Sequence, residues 1–152
     1  MGVVTETLGP IDELADAPPQ EDALLLTSEE RASPHMLGRT QGGRDVRISL
    51  PRGQELDEGE VLLIDGQCAV VVRAAPEELF VVRAGSPIDW AIAGYQLGNF
   101  HRPVRFTDDA MLTPVDPMVA DVLTRLGFSF ERRTMPFAGR RVGAYGAHHH
   151  DH

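Results

Sequence analysis

The chain has 152 residues, 42% of them hydrophobic, and a formal net charge of −9 with an isoelectric point near 5.0. That length suits one ordinary domain or two small ones, and the acidic balance excludes the basic face that a nucleic-acid or anionic-membrane binder needs. All fourteen basic residues are Arg, which removes Lys-based covalent chemistry and a phosphate-loop lysine. The single cysteine, Cys68, rules out an intrachain disulfide or a thiolate cluster, and its apolar neighbours (residues 69–72) suggest a buried structural thiol. Residues 1–20 have neither a basic nor an apolar leader region, and no run approaches the ~18 apolar residues of a membrane span. A cytosolic protein is expected.

Residues 1–22 are rich in acid, Ala and Pro, which predicts a disordered lead-in arm. From residue 23 the pattern is strand-like. Residues 23–27 form an apolar run, 34–40 read as extended, and Gln41-Gly42-Gly43 is a turn. Residues 45–50 alternate, with Val46, Ile48 and Leu50 against Asp45, Arg47 and Ser49, as in a half-buried strand. Two further strands, 61–64 and 67–73, flank Asp65-Gly66, a strong hairpin signal. Short strands without a helical period predict a small β-barrel or sandwich-like domain over 23–75.

After Ala74-Ala75-Pro76 the period changes. Residues 79–83 read as a strand. Ser86-Pro87-Ile88-Asp89 opens a helix with a capping hydroxyl, a Pro in the first turn and an acid near the N-terminus. Ile88, Ala91, Ile92 and Tyr95 follow at helical spacing, closing at Gly98-Asn99. Residues 103–106 and 110–113 are extended. Asp116-Pro117 starts a second helix that carries Met118, Val119, Val122, Leu123 and Leu126 and stops at Gly127. Residues 128–132 form a last strand. The β-α-β-β-α-β order predicts a ferredoxin-like domain over 76–134, so the fold class is α+β. Residues 135–152, rich in Gly and Arg, read as a flexible tail ending in His148, His149, His150, Asp151 and His152.

Two places could carry metal chemistry. A lone imidazole near a helix end, such as His101, is more often structural than a ligand. A homodimer with its two-fold axis near this turn would double the ligand count. The tail adds His148, His149, His150 and His152, with Asp151 as a weaker oxygen ligand; short His-rich tracts commonly bind metal, and the Asp151 interruption distinguishes it from an unbroken purification tag. Imidazole ligands without cysteine suit Ni²⁺, Cu²⁺ or Zn²⁺. Arg102 and Arg105 beside His101 would add positive charge that favours the neutral, ligating imidazole. Asp108, Asp109 and Asp116 are near in sequence only, and His35 reads as an ordinary strand histidine. No nucleophile, base and orienting acid form a set, so no enzyme is expected.

With these residues in view the chain resembles the UreE family, nickel metallochaperones of urease maturation. The resemblance runs from about Leu24 to the end. It rests on Leu50-Pro51-Arg52-Gly53, the turn at Glu58-Gly59-Glu60-Val61, and Ala74-Ala75-Pro76-Glu77. It continues through Tyr95-Gln96-Leu97-Gly98-Asn99-Phe100-His101-Arg102-Pro103, Leu126-Gly127, Pro136-Phe137 and Gly143-Ala144-Tyr145-Gly146 before the His-rich end. The resemblance implies a β-rich N-terminal domain, a ferredoxin-like metal-binding domain, and a homodimer with the metal histidine of each subunit at His101. It also implies Ni²⁺ delivery to apo-urease through the urease accessory GTPase and other urease accessory proteins. Many family members have His where this chain has Gln96, and Asp-His where it has Asp116-Pro117, so their accessory metal sites should be missing. The rival readings are a cytosolic nickel or zinc buffer or sensor with no delivery partner, and a metallohydrolase.

Overall fold

A computed structural model describes residues 2–141, and within them the chain divides between Ala75 and Pro76 into two units, each with its own core. The N-terminal unit contains β1 (Val3–Val4), β2 (Gln20–Leu26), α1 (Ser28–Ala32), β3 (His35–Arg39), β4 (Asp45–Ser49), β5 (Val61–Asp65) and β6 (Cys68–Ala74). They form two three-stranded sheets, β1-β4-β3 and β2-β6-β5. Period-2 alternation sends Val46 and Ile48 inward from β4, and they meet Leu24, Leu26, Leu62, Val70 and Val72 from the other sheet. The result is a small sandwich. Its hairpin turn lies at Gly66-Gln67, one residue later than the sequence suggests, because Gly66 takes the positive φ of 60° as the first central residue.

The N-terminal stretch corrects an expectation. Residues 2–22 are not a disordered arm. β1 pairs in parallel with β4, Leu8 donates its amide to the Val61 carbonyl at 2.8 Å, and Ile11 donates to the Gly59 carbonyl at 2.8 Å. Ile11 and Leu14 pack on Val61, Ala69 and Val71. The acids and prolines dominate the composition, but Val4, Leu8, Ile11 and Leu14 are spaced so that one after another reaches the sheet. Helix α1, which no apolar period announces, is set by a reciprocal capping box on Thr27 and Glu30, with the Glu30 amide donating to Thr27 Oγ1 at 3.2 Å and the Thr27 amide to Glu30 Oε1 at 2.9 Å.

The C-terminal unit contains β7 (Pro76–Val82), α2 (Pro87–Asn99), β8 (Pro103–Phe106), β9 (Met111–Pro114), α3 (Pro117–Arg125), β10 (Phe130–Pro136) and β11 (Arg140–Arg141). Its antiparallel sheet has the order β10-β7-β9-β8-β11. The first four strands give the ferredoxin-like arrangement, with β11 added at one edge. On one face Phe80, Val82, Val104 and Met111 pack with Ala93 and Leu97 of α2 and with Val119 and Leu123 of α3. On the other, Leu79, Val81, Ala110 and Leu112 surround Phe137.

The segment expected as a tail from residue 135 therefore begins inside the fold. β10 runs to Pro136, Phe137 is fully buried, and β11 pairs with β8. A Cβ at Gly139 would lie 2.0 Å from the Phe137 ring, so only glycine lets the chain cross that ring on its way to β11. Residues 142–152, with all four tail histidines and Asp151, lie outside the described residues. Cys68 is half-buried and makes only a long contact to the Ala69 carbonyl at 3.9 Å, a weaker burial than its apolar neighbours suggest.

Candidate metal centre

Helix α2 starts where its sequence says it should. Ser86 Oγ accepts from the Asp89 amide at 3.2 Å, and Pro87 occupies the first turn, where no amide donor is missed. Its end differs from the expected stop at Gly98-Asn99. Both residues remain helical, Phe100 is the C-cap, and His101 takes the next position with φ 53°. The His101 amide donates back to the Gly98 carbonyl at 3.1 Å. This is the left-handed position that usually holds glycine after a helix. His is among the few other residues enriched there, and the conformation turns the backbone sharply while leaving an imidazole on the surface. His101 is exposed, and its ring makes no hydrogen bond to any described residue.

The apolar residues read at helical spacing on α2 face outward. Ala93 and Leu97 fill the core, whereas Ile88 is 64%, Ile92 40% and Tyr95 71% exposed. Phe106 of β8, itself 45% exposed, lies beside Gly94 and extends the apolar surface. Ile88, Ile92 and Tyr95 are spaced i, i+4, i+7, so they form one stripe along the helix that leads to His101. On α3, likewise, Val119 and Leu123 are buried while Met118 and Leu126 are exposed.

Two of the carboxylates close to His101 in sequence are committed elsewhere. Asp116 caps α3: its Oδ1 accepts from the Met118 amide at 2.8 Å and the Val119 amide at 3.3 Å, and its Oδ2 accepts from Arg102 Nη1 at 2.9 Å. That pairing corrects the charge argument at Arg102, because a guanidinium bonded to a carboxylate presents no net charge to the neighbouring imidazole. Asp109 accepts from Thr107 Oγ1 at 3.1 Å. Gln96 joins Val122, Arg125 and Leu126 around a cavity of about 240 Å³ between α2 and α3. Among the described residues no three His, Cys, Asp or Glu side chains converge as a metal-binding group. His35 is in the N-terminal unit, where its Nδ1 lies 3.0 Å from Ser49 Oγ across the β3–β4 pair. The Arg102–Asp116 bond and the outward turn of the α2 stripe were not read from sequence. The first has no local pattern to signal it. For the second, Ala93 and Leu97 form a rival pair one turn apart, which spacing alone does not rank above Ile88, Ile92 and Tyr95.

These features define a class: an α+β protein that joins a β-sandwich to a ferredoxin-like domain with an exposed histidine at the end of its first helix. The chain belongs to the UreE urease accessory protein family, whose N-terminal domain matches residues 4–75 and whose C-terminal domain matches residues 77–152. It is similar to the urease accessory protein UreE of Burkholderia ambifaria, with 40% identity over 130 residues that cover 85% of this chain and 64% of the relative. The UreE of Burkholderia pseudomallei strain 1710b is 40% identical over 131 residues, covering 86% and 64%. That of Burkholderia vietnamiensis is 38% identical over 130 residues, covering 85% and 64%. The chain thus spans somewhat less than two thirds of the length of these relatives. No helix among the described residues is long and apolar enough to cross a membrane.

Proposed function

We propose that the chain is a cytoplasmic, homodimeric nickel chaperone that carries Ni²⁺ for urease active-site assembly and catalyses no reaction itself. The observation that carries this reading is the exposed His101 at the end of the exposed apolar stripe on α2. One imidazole is a poor site for a divalent ion. Two, brought together by a two-fold axis along the stripe, make the start of one. Burying Ile88 and Ile92 against a second copy would contribute about 1.5–3 kcal/mol for each side chain fully removed from water, and the Tyr95 ring would add apolar area. The names of the relatives, urease accessory protein UreE, support the maturation role.

In this reading His101 of each protomer anchors the cargo ion, and His148, His149, His150 and His152, with Asp151, exchange it. Imidazole nitrogen also accommodates Zn²⁺ or Cu²⁺ in vitro. Gln96 and Pro117 supply no imidazole, and Asp116 is occupied as a cap, so in this reading ligation among the described residues of the C-terminal unit rests on His101. Transfer to apo-urease would run through the urease accessory GTPase and its companion accessory proteins.

The test is Ni²⁺ titration followed by native mass analysis of the intact chain and of His101→Ala. The intact protein is expected as a dimer with one tight site, and His101→Ala as a dimer that keeps only weaker tail binding. An unchanged tight site in His101→Ala would remove His101 from the anchor role. A pull-down with the accessory GTPase separates delivery from simple buffering, since a buffer forms no metal-dependent complex.

A further inference from the structure

We infer that Arg102 is a positioning residue for His101, acting through its ion pair with the N-cap of α3; the inference rests on the reading of His101 as a metal anchor. His101 occupies a left-handed conformation that is unfavourable for a non-glycine residue and persists only where its surroundings fix it. The surroundings are visible on both sides of the turn. Before it, the Phe100 and His101 amides donate to the Leu97 and Gly98 carbonyls at 3.2 and 3.1 Å. After it, the Pro103 carbonyl accepts from Thr113 Oγ1 at 3.0 Å, from a buried Thr on the neighbouring strand. Arg102 supplies the third tie, from the residue adjoining His101 to the start of the other helix.

The carboxylate of Asp116 is divided between two tasks. Oδ1 holds the first turn of α3, where Pro117 fixes the backbone, and Oδ2 holds the guanidinium. Because the cap anchors Asp116, the ion pair has one stationary end. Arg102 Nε is shielded from solvent without an acceptor, so the head group is packed in place as well as paired. Side-chain exposures of 40% and 21% leave the pair partly screened, which makes it a weak source of stability and a better source of direction. Arg102 touches no cargo in this account. It fixes the direction in which the preceding residue presents its imidazole, as residues behind metal ligands commonly do.

The experiment compares Arg102→Gln, Arg102→Lys, Asp116→Asn and the double variant Arg102→Gln/Asp116→Asn in the full chain, with Ni²⁺ alone as probe. Asp116→Asn keeps a competent cap. Arg102→Gln is expected to weaken the tight site about tenfold, the low end for residues supporting a ligand, and to speed hydrogen exchange at the His101 amide in the metal-free protein. Asp116→Asn should match it, the double variant should be no worse than either single variant, and Arg102→Lys should recover most of the loss. If Arg102→Gln lowers the melting temperature but leaves Ni²⁺ affinity and His101 exchange at wild-type values, the bond is structural and the inference is overturned. Should His101→Ala retain the tight site, the metal-anchor reading fails separately. Amide exchange then still decides the positioning role: faster exchange in Arg102→Gln supports it, and unchanged exchange overturns it.

Discussion

Both helices of the C-terminal unit finish on a residue with positive φ, but α3 uses Gly127 at 79° where α2 uses His101 at 53°. At α3 the Gly127 amide donates to the Thr124 carbonyl at 3.1 Å and the Phe128 amide to the Leu123 carbonyl at 3.0 Å, the paired bonds of a Schellman ending. At α2 the corresponding position has the first of these bonds, from His101 to Gly98. Glycine adopts this conformation freely, so α3 ends at no steric cost. Histidine does not, and the turn after α2 needs the ties to Asp116 and Thr113 to hold its shape. The same backbone event thus serves stability at one helix and exposure of an imidazole at the other. A residue that a stability argument would replace is where a functional side chain is to be sought.

Substitutions at the two ends can break or sharpen this contrast. Gly127→Val puts a β-branched residue at φ 79° and should cost about 2 kcal/mol in thermal or denaturant unfolding. A loss below a few tenths of a kcal/mol would show that α3 tolerates any residue there. Gly127→His should cost about 1 kcal/mol, because His enters the left-handed region more readily, and it measures the strain that α2 carries at His101. The converse change, His101→Gly, should raise stability by up to about 1 kcal/mol while abolishing the tight Ni²⁺ site. If stability falls instead, the imidazole has a packing role and the two endings differ less than they look. The smallest effect belongs to the N-terminal unit and serves as a control. Arg73 donates to Glu21 and holds its carboxyl below the ordinary value of 4.5. A depressed folded-state pKa stabilises above the unfolded value, so this contribution is present above about pH 4.5 and fades as the pH falls below it. Acidification should therefore loosen that unit by less than about 1 kcal/mol, and Arg73→Met should remove that part of the pH dependence.

Much of the C-terminal unit is legible because its signals are local. The start of α2 at Ser86-Pro87 and the stop of α3 at Gly127 are each decided by residues within one turn. What escaped depends on partners far along the chain. Residues 2–22 look disordered by composition, and only the distant strands at Val61 and Ile48 give Leu8 and Val4 a place to pair. The outward face of α2 escaped for a different reason. Ile88, Ile92 and Tyr95 are large and correctly spaced for a core, yet the sheet takes Ala93 and Leu97 instead. A single chain leaves that apolar stripe in water, and no periodicity distinguishes an inner face from one kept for a partner. His101 stands out in the sequence through its neighbours, but its left-handed backbone and the Arg102–Asp116 tie depend on contacts that only the folded chain makes.

The pairing of β11 with β8 sets Arg141 opposite Pro103, two residues beyond His101. Seven peptide steps separate Arg141 from His148 in the sequence, and whatever path they follow they span at most about 25 Å. Phe137 and Gly139 thereby do more than complete a core: they fix the point from which that span is measured. The distance of the terminal histidines from Arg141 has a ceiling set by covalent geometry, and Arg141 lies on the strand paired with the one that leaves the His101 turn. Inserting residues between Arg141 and His148 raises that ceiling by about 3.6 Å for each residue added.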